Sequence, residues 1–331
     1  ALTNFPNGIT SFGIPIFGGS LPPFTGQYLF ADYLNGNDGN DGSPGTPLKT
    51  VQAAYAKTTS GNNDVIFIVG NGNYPTATQR ITSTIAWSND ATHLIGLAAP
   101  SRFTPMARIA YKSTVVAELA PMMTVSGNGC IFSNFSMYQG LASLTTAEQM
   151  IQITGGNNYF GGIHFGGMGG SGSTGGSAHA SSYCIGFGTN GSENFFENCT
   201  IGIDTVQRTA ANASIKFYGV GSTRNVFQNC IFPMDGLNAN TPYFIDASLA
   251  GSVDRDNIFR NCYFYNTVNS TATVLSVGSL APVTGSPAGT LVFDNCTGVG
   301  FTKWTATSAY CYVTGPATGA GTTAGIGATI A

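Results

Sequence analysis

Hydrolysis of a glycosidic bond needs two carboxyl groups on one face at a defined separation, and the sequence offers few candidates. From residue 118 onward the acidic residues are Glu118, Glu148, Glu193, Glu197, Asp204, Asp235, Asp246, Asp254, Asp256 and Asp294. Glu197, Gln228, Arg260 and Asp294 each stand just before an Asn-Cys pair, at one phase of a repeat. Such residues line one exterior stripe, with neighbouring coils about 4.8 Å apart. Glu197 and Asp294 would then be three rungs, about 14 Å, apart, too far to act together. With Arg260 between them, the stripe reads as a mixed-charge surface row. No catalytic residue is assigned, and the chain is not expected to be an enzyme.

Metal and nucleotide chemistry fare no better. His93, His164 and His179 are the only histidines, and no cysteine pair has zinc spacing. The cluster Asn35-Gly36-Asn37-Asp38-Gly39-Asn40-Asp41-Gly42 is rich in oxygen ligands but lacks the D-x-[DN]-x-[DN]-G order of a calcium loop, so it reads as a turn. Gly170 to Gly175 and Gly186 to Gly191 both match G-x-G-x-x-G, but 45 glycines make chance matches expected. Neither match follows a strand and opens a helix, as dinucleotide binding requires. No cofactor is expected.

The elements that would position any of these residues come from the repeat itself. Asn194-Phe195-Phe196-Glu197-Asn198-Cys199 returns as Asn225 to Cys230, Asn257 to Cys262 and Leu291 to Cys296. The cysteine-to-cysteine steps are 31, 32 and 34 residues. Looser copies start at Cys130 and Asn158. A period of this size without heptads means stacked supersecondary units, and a unit built on a strand makes a β-solenoid. The fold class is all-β, a right-handed parallel β-helix. Phe196, Phe227, Phe259 and Phe293 are expected to stack inside it, with Cys199, Cys230, Cys262 and Cys296 in a second column. Each coil reads as a strand, a turn and a second strand. Asparagines at the bends are expected to form a ladder, because asparagine bonds local backbone and tolerates left-handed turns.

Composition agrees. Only 8% of the 331 residues are charged, against roughly 25% in ordinary domains, while 42% are hydrophobic. A formal net charge of −3 leaves no electrostatic footprint for nucleic acid. No stretch reaches the length of a membrane span. The first residues lack the pattern of a signal peptide. Ala1 is what remains when an initiator Met is trimmed, so synthesis in a cytoplasm without export is expected, unless a leader was already removed. The seven cysteines read as buried small hydrophobes. Asn134, Asn198 and Asn295 head Asn-x-Ser/Thr triplets, but their place in the repeat predicts burial and no glycosylation.

Four segments follow: an extended arm over 1–26, a solenoid opening and cap over 27–62, the β-helix over 63–313, and a Gly/Ala/Thr-rich tail over 314–331. In the arm, Phe5, Ile9, Phe12, Ile14, Ile16 and Phe17 lie between Pro6, Gly8, Gly13 and Pro15, with no helix and no core of their own. Such a segment docks on another subunit. In the cap, Thr46 and Pro47 predict the start of a helix over Leu48 to about Lys57. The run from Gly166 to Ser182 is so rich in glycine that it predicts a loop thrown out of one coil.

Two resemblances are carried by these residues. Asn4-Phe5-Pro6-Asn7-Gly8-Ile9-Thr10-Ser11-Phe12-Gly13-Ile14-Pro15 resembles the opening of tailed-phage virion proteins of the head-decoration and head-fibre type, over the first eighteen positions or so. The order of turn cluster, helix and strand ending in Asn71-Gly72-Asn73-Tyr74 resembles the opening segment of pectate-lyase-like β-helix proteins. The first implies a structural protein on the outer surface of a phage capsid, anchored to the major capsid protein through Phe5, Pro6, Ile9, Phe12, Ile14, Ile16 and Phe17. The expected partners are that protein, further copies in a homotrimer, and a host-surface glycan, with no nucleic acid and no membrane. A polysaccharide-degrading or glycan-binding protein of tailspike type is the alternative.

Overall fold

The computed structural model describes residues 10–11, 14–15, 26–70, 78–111, 119–140, 146–170, 175–237, 241–267, 274–280, 289–305 and 310–314. The chain winds into a parallel β-helix with three faces. A ten-stranded sheet runs from Tyr28–Ala31 at one edge to Cys311–Thr314 at the other. A nine-stranded sheet begins at Gln79–Ile81 and ends at Thr297–Val299. A seven-stranded sheet begins at Ile85–Trp87 and ends at Ser279–Leu280. They are called the long, second and third sheets below.

A coil thus has three strands where two were expected. The cause is one residue at the bend after the Phe motif. Asn134, Asn198, Asn229, Asn261 and Asn295 all have φ between 51° and 58°. This left-handed geometry suits asparagine, and it turns the chain sharply. What reads as one strand is split into Phe195–Glu197 on the long sheet and Thr200–Ile201 on the second. The same bend exposes the side chains of Asn198 and Asn295, so the burial expected of these Asn-x-Thr positions is corrected.

Inside the tube the aromatic column forms as expected. Phe132, Phe160, Phe196, Phe227, Phe259 and Phe293 are fully buried and stack in order, with centroid spacings of 4.8, 4.5, 4.4, 4.7 and 5.3 Å. Parallel in-register pairing fixes the column, since Phe196 is opposite Phe227 and Phe227 opposite Phe259. The cysteine column lies beside it. The thiols of Cys199, Cys230, Cys262 and Cys296 point at the carbonyls of Phe160, Phe196, Phe227 and Phe259, one coil back, at 3.3, 3.6, 3.4 and 3.1 Å. All seven cysteines are buried and free. Burial pushes the Cys184 thiol up to about 11 and Cys311 up to about 12, so both stay protonated and inert.

The continuous asparagine ladder is built by the residue that opens the motif, not the one at the bend. Asn158, Asn194, Asn225 and Asn257 are buried. The amide nitrogens of Asn158, Asn194 and Asn225 donate to the side-chain oxygens of Asn194, Asn225 and Asn257 at 3.2, 3.0 and 3.1 Å. Each rung thereby satisfies a backbone donor that the turn leaves without a strand partner.

One end of the tube is closed by the helix Val51–Tyr55, shorter than expected. Its N-cap is Thr50, whose hydroxyl accepts from Ala53 N. Thr46 instead donates to Asp41. The late start has a cause: Asp38 accepts from the Lys49 and Thr50 amides at 2.9 and 2.8 Å, and Leu48 bridges to Ala31, holding the chain extended up to Thr50. Leu48, Val51 and Ala54 cover the core end. No helix among the described residues is long and apolar enough to cross a membrane.

Candidate functional site

Of the arm residues singled out in the sequence, Phe5, Pro6, Ile9, Phe12, Ile16 and Phe17 lie outside the described residues. Ile14 falls in a two-residue strand, Ile14–Pro15, that pairs antiparallel with Thr10–Ser11.

The mixed-charge row is where it was expected. Glu197, Gln228, Arg260 and Asp294 are in register on the outside of the long sheet. Arg260 Nε donates to Asp294 Oδ2 at 2.9 Å, and Thr314 Oγ1 donates to Asp294 Oδ1 at 2.6 Å. The Thr314 hydroxyl first, then Arg260, hold the Asp294 carboxyl below its ordinary range. Glu197 accepts from the Tyr159 hydroxyl at 3.0 Å. Burial, and then this carboxylate, push the Tyr159 phenol up to about 12. Asp294 is partnered within the row and Glu197 by Tyr159 of the neighbouring outward column, and the two carboxylates are not paired with each other.

The histidines serve structure. His93 Nδ1 accepts from the Ile131 amide at 3.0 Å, and burial holds its pKa down to about 4 against the opposing pull of Asp64. His164 Nδ1 accepts from Thr104 N, its Nε2 meets Gly202 O, and burial lowers its pKa too. Among the described residues no group of three His, Cys, Asp or Glu is placed to hold a metal.

Residues 171–174 of the Gly-rich run lie outside the described residues, and the described parts on either side are more closely packed than expected of a loop thrown outward. Met168 is buried in the core, and Gly170 N donates to both oxygens of the fully buried Glu148 at 3.0 and 3.2 Å. Nearby Arg208 is also buried, donating to Ser214 Oγ at 2.8 Å and Tyr243 O at 3.2 Å, with its pKa lowered to about 10 by burial. A sequence repeat marks columns; it gives no signal for such single-coil insertions.

Among the described residues, one concave outer feature sits on the third sheet. It is an open depression of about 420 Å³ lined by Lys216, Phe217, Tyr218, Asp246, Ser248 and Leu249. Lys216 Nζ lies 3.6 Å from Asp246 Oδ2, while Ser248 donates to Asp246 Oδ1 through both its amide and its hydroxyl, at 3.0 and 2.6 Å. Tyr218 stacks on Tyr183, with centroids 5.8 Å apart and planes 13° apart. Gly186, from the second of the two nucleotide-like glycine matches, lies on the strand Tyr183–Phe187 beneath both rings. A Cβ there would sit 2.5 Å from the Tyr183 ring and 2.8 Å from the Tyr218 ring. This glycine is required by the aromatic pair, not by a phosphate. An aromatic face, a cation, a carboxylate and a hydroxyl around one hollow can hold a hydroxylated ring.

The fold defines a parallel β-solenoid. No family model and no curated protein matches the chain. Among solved structures, it is similar to Escherichia coli YbhC, with 14% identity and a TM-score of 0.51 over 94% of this chain and 79% of that one. A rhamnogalacturonan lyase is 13% identical, with a TM-score of 0.40 over 87% of each chain. Geobacillus virus E2 ORF18 is 14% identical, with a TM-score of 0.26 over 84% of this chain and 62% of that one. At such identities the likeness is one of fold alone. With a lyase among these structures, the expectation that the chain is not an enzyme is withdrawn. The separation of two carboxylates bears on hydrolysis only, and enzymatic status is not established.

Proposed function

We propose that the chain is a structural protein of a bacteriophage particle, a β-helical rod held on the outer capsid surface through the arm of residues 1–26. One observation carries this reading. Among the described residues, the arm's strands Thr10–Ser11 and Ile14–Pro15 pair only with each other and join none of the three solenoid sheets. The edge strand Tyr28–Ala31 does not need the arm. Phe30 N donates to Gly42 O and Leu48 N donates to Phe30 O, each at 2.8 Å. On this reading the arm's six large apolar residues are the anchors offered to a shell partner, where burying each would contribute about 1.5–3 kcal/mol. The test removes residues 2–18 and offers the shortened chain to undecorated heads. Loss of binding with the β-helix still folded supports the reading; unchanged binding overturns it.

The depression on the third sheet favours a second reading, in which the displayed rod binds a glycan. Tyr218 supplies a ring face, Lys216 a donor and Asp246 an acceptor. Screening a glycan array with the protein and with Tyr218→Ala tests it. A signal that survives the substitution removes this surface from consideration.

A further inference from the structure

Side chains on the long sheet point into the tube in one column and outward in two. One outward column is the row of Glu197, Gln228, Arg260 and Asp294. The other is apolar on every rung from Ile131 upward. Ile131 is in register with Tyr159, Tyr159 with Phe195, and Phe195 with Val226. Val226 is followed by Ile258, then Val292, then Tyr312. Seven rungs at about 4.8 Å give a straight apolar stripe about 29 Å long. Its members are half-buried up to Val292, and Tyr312 is 60% exposed. Below Ile131 the same face is already closed, because Val65, Phe67 and Ile95 form a buried cluster outside the tube with Ile131 packed against it.

Continuous apolar surface on the outside of a soluble rod marks a contact. What covers this stripe must be straight over seven rungs and repeat at the rung spacing. The same stripe on another copy of the chain meets both conditions. No lone ion would be stripped of its partner, since Arg260 pairs with Asp294 and Glu197 with the Tyr159 hydroxyl within one chain. A formal charge of −3 sets little repulsion between copies. The tail that follows Thr314 beside Tyr312 does not suffice, because residues 315–331 contain only Ile326 and Ile330 as large apolar side chains.

We propose that this stripe is the face through which copies of the chain associate, with Val226, the middle rung, against its own equivalent. The expected homotrimer would be built on this face, and the inference does not depend on the capsid reading.

The middle rung makes the test independent of whether the copies run parallel or antiparallel. Val226→Cys in the full-length chain should form a disulfide between chains under mild oxidation, since all seven native thiols are buried. Ile231→Cys, half-buried on the outer side of the second sheet, should not. Val226→Lys should lower the solution mass from a multiple to a single chain at micromolar concentration, with the β-sheet circular dichroism unchanged. If Val226→Lys fails to fold, the cross-link decides. A wild-type chain that is monomeric at that concentration, a folded Val226→Lys of unchanged mass, or equal cross-linking at 231 would overturn the proposal. Failure to bind heads would not, because association is read in solution.

Discussion

Replacing Asn225 by Leu tests whether the buried asparagine ladder holds the coils through hydrogen bonds or merely fills space. Asn225 is fully buried. Its Oδ1 accepts from Asn194 N at 3.0 Å and from Asn194 Nδ2 at 3.0 Å. Its Nδ2 donates to Gly191 O at 2.9 Å and to Asn257 Oδ1 at 2.9 Å. Leucine has the same number and branching of side-chain heavy atoms, though its methyl groups are bulkier, and none of these hydrogen-bonding groups. Asn194 Nδ2 would keep Gly155 O and Ser192 O, and Asn257 Oδ1 would keep the residue 225 amide. The Asn194 amide hydrogen and the Gly191 carbonyl would lose the partner shown here. A buried polar group left unsatisfied costs about 1–3 kcal/mol, so two give a loss of about 2–6 kcal/mol. Urea denaturation followed by tryptophan emission measures it. Trp87 reports on the early coils and Trp304 on the late ones, and both are buried. The outer residue Gln228 changed to Leu should stay within about 0.5 kcal/mol of wild type. If Asn225→Leu denatures with the wild-type midpoint while Asn225→Ala does not, packing alone explains the ladder and the hydrogen-bond argument is wrong.

Other outcomes follow from single contacts. Phe227→Ala opens a gap between Phe196 and Phe259 and should cost about 3–5 kcal/mol by the same assay; a melt like wild type would deny that the column bears on stability. His93 must be neutral to accept from Ile131, and its folded pKa of about 4 lies below the unfolded value near 6.5. The unfolded chain therefore binds the proton first, so the contribution is complete above pH 6.5 and lost as pH falls toward 4, by about 1–3 kcal/mol. His93→Gln should flatten that stretch of the stability-pH curve, and an unchanged slope would exonerate His93. Gly186→Ala should displace the two stacked tyrosines and cost about 1–3 kcal/mol, with part of the loss recovered when Tyr183→Ala is added; full additivity of the two changes would mean the rings are not what the Cβ meets.

The repeat made the long sheet and its inner columns legible, because parallel pairing turns equal spacing into direct contact. Phe196, Phe227 and Phe259 could be placed on one another from their positions alone. The third sheet was not read as a separate face. Its strands, such as Tyr183–Phe187 and Ala213–Phe217, share only an inward Ile and Phe two residues apart, a shorter signature than the Phe-x-Asn-Cys motif, and the splitting bend is one residue whose backbone angle leaves little trace in sequence. The bend asparagines, where the ladder was expected, form one such rung, from Asn295 Nδ2 to Asn261 Oδ1 at 2.8 Å, while the continuous ladder at the opening asparagines was not read. Three of the four close copies carry both asparagines, and only the direction each points decides which is buried. The third-sheet depression draws Lys216 and Tyr218 from one coil and Asp246 and Ser248 from the next, positions that recur nowhere else, so periodicity could not reveal it.

Because, among the described residues, each strand of the three sheets pairs only with strands one coil before and one coil after it, length is a separable property of this molecule, with the Arg102 segment, which reaches Asn198 and Asn229, as a contact that spans coils. Excising residues 199–229 would rejoin Asn198 to Cys230, an Asn-Cys junction like the two it replaces, and would bring Phe196 against Phe259 by the same rung-to-rung step. The shortened rod would lose Lys216 and Tyr218, and with them the hollow on its flank, while its ends stayed as they are. Reach and surface decoration can thus change by gain or loss of whole coils, each change adding or removing about 4.8 Å without redesign of the interior.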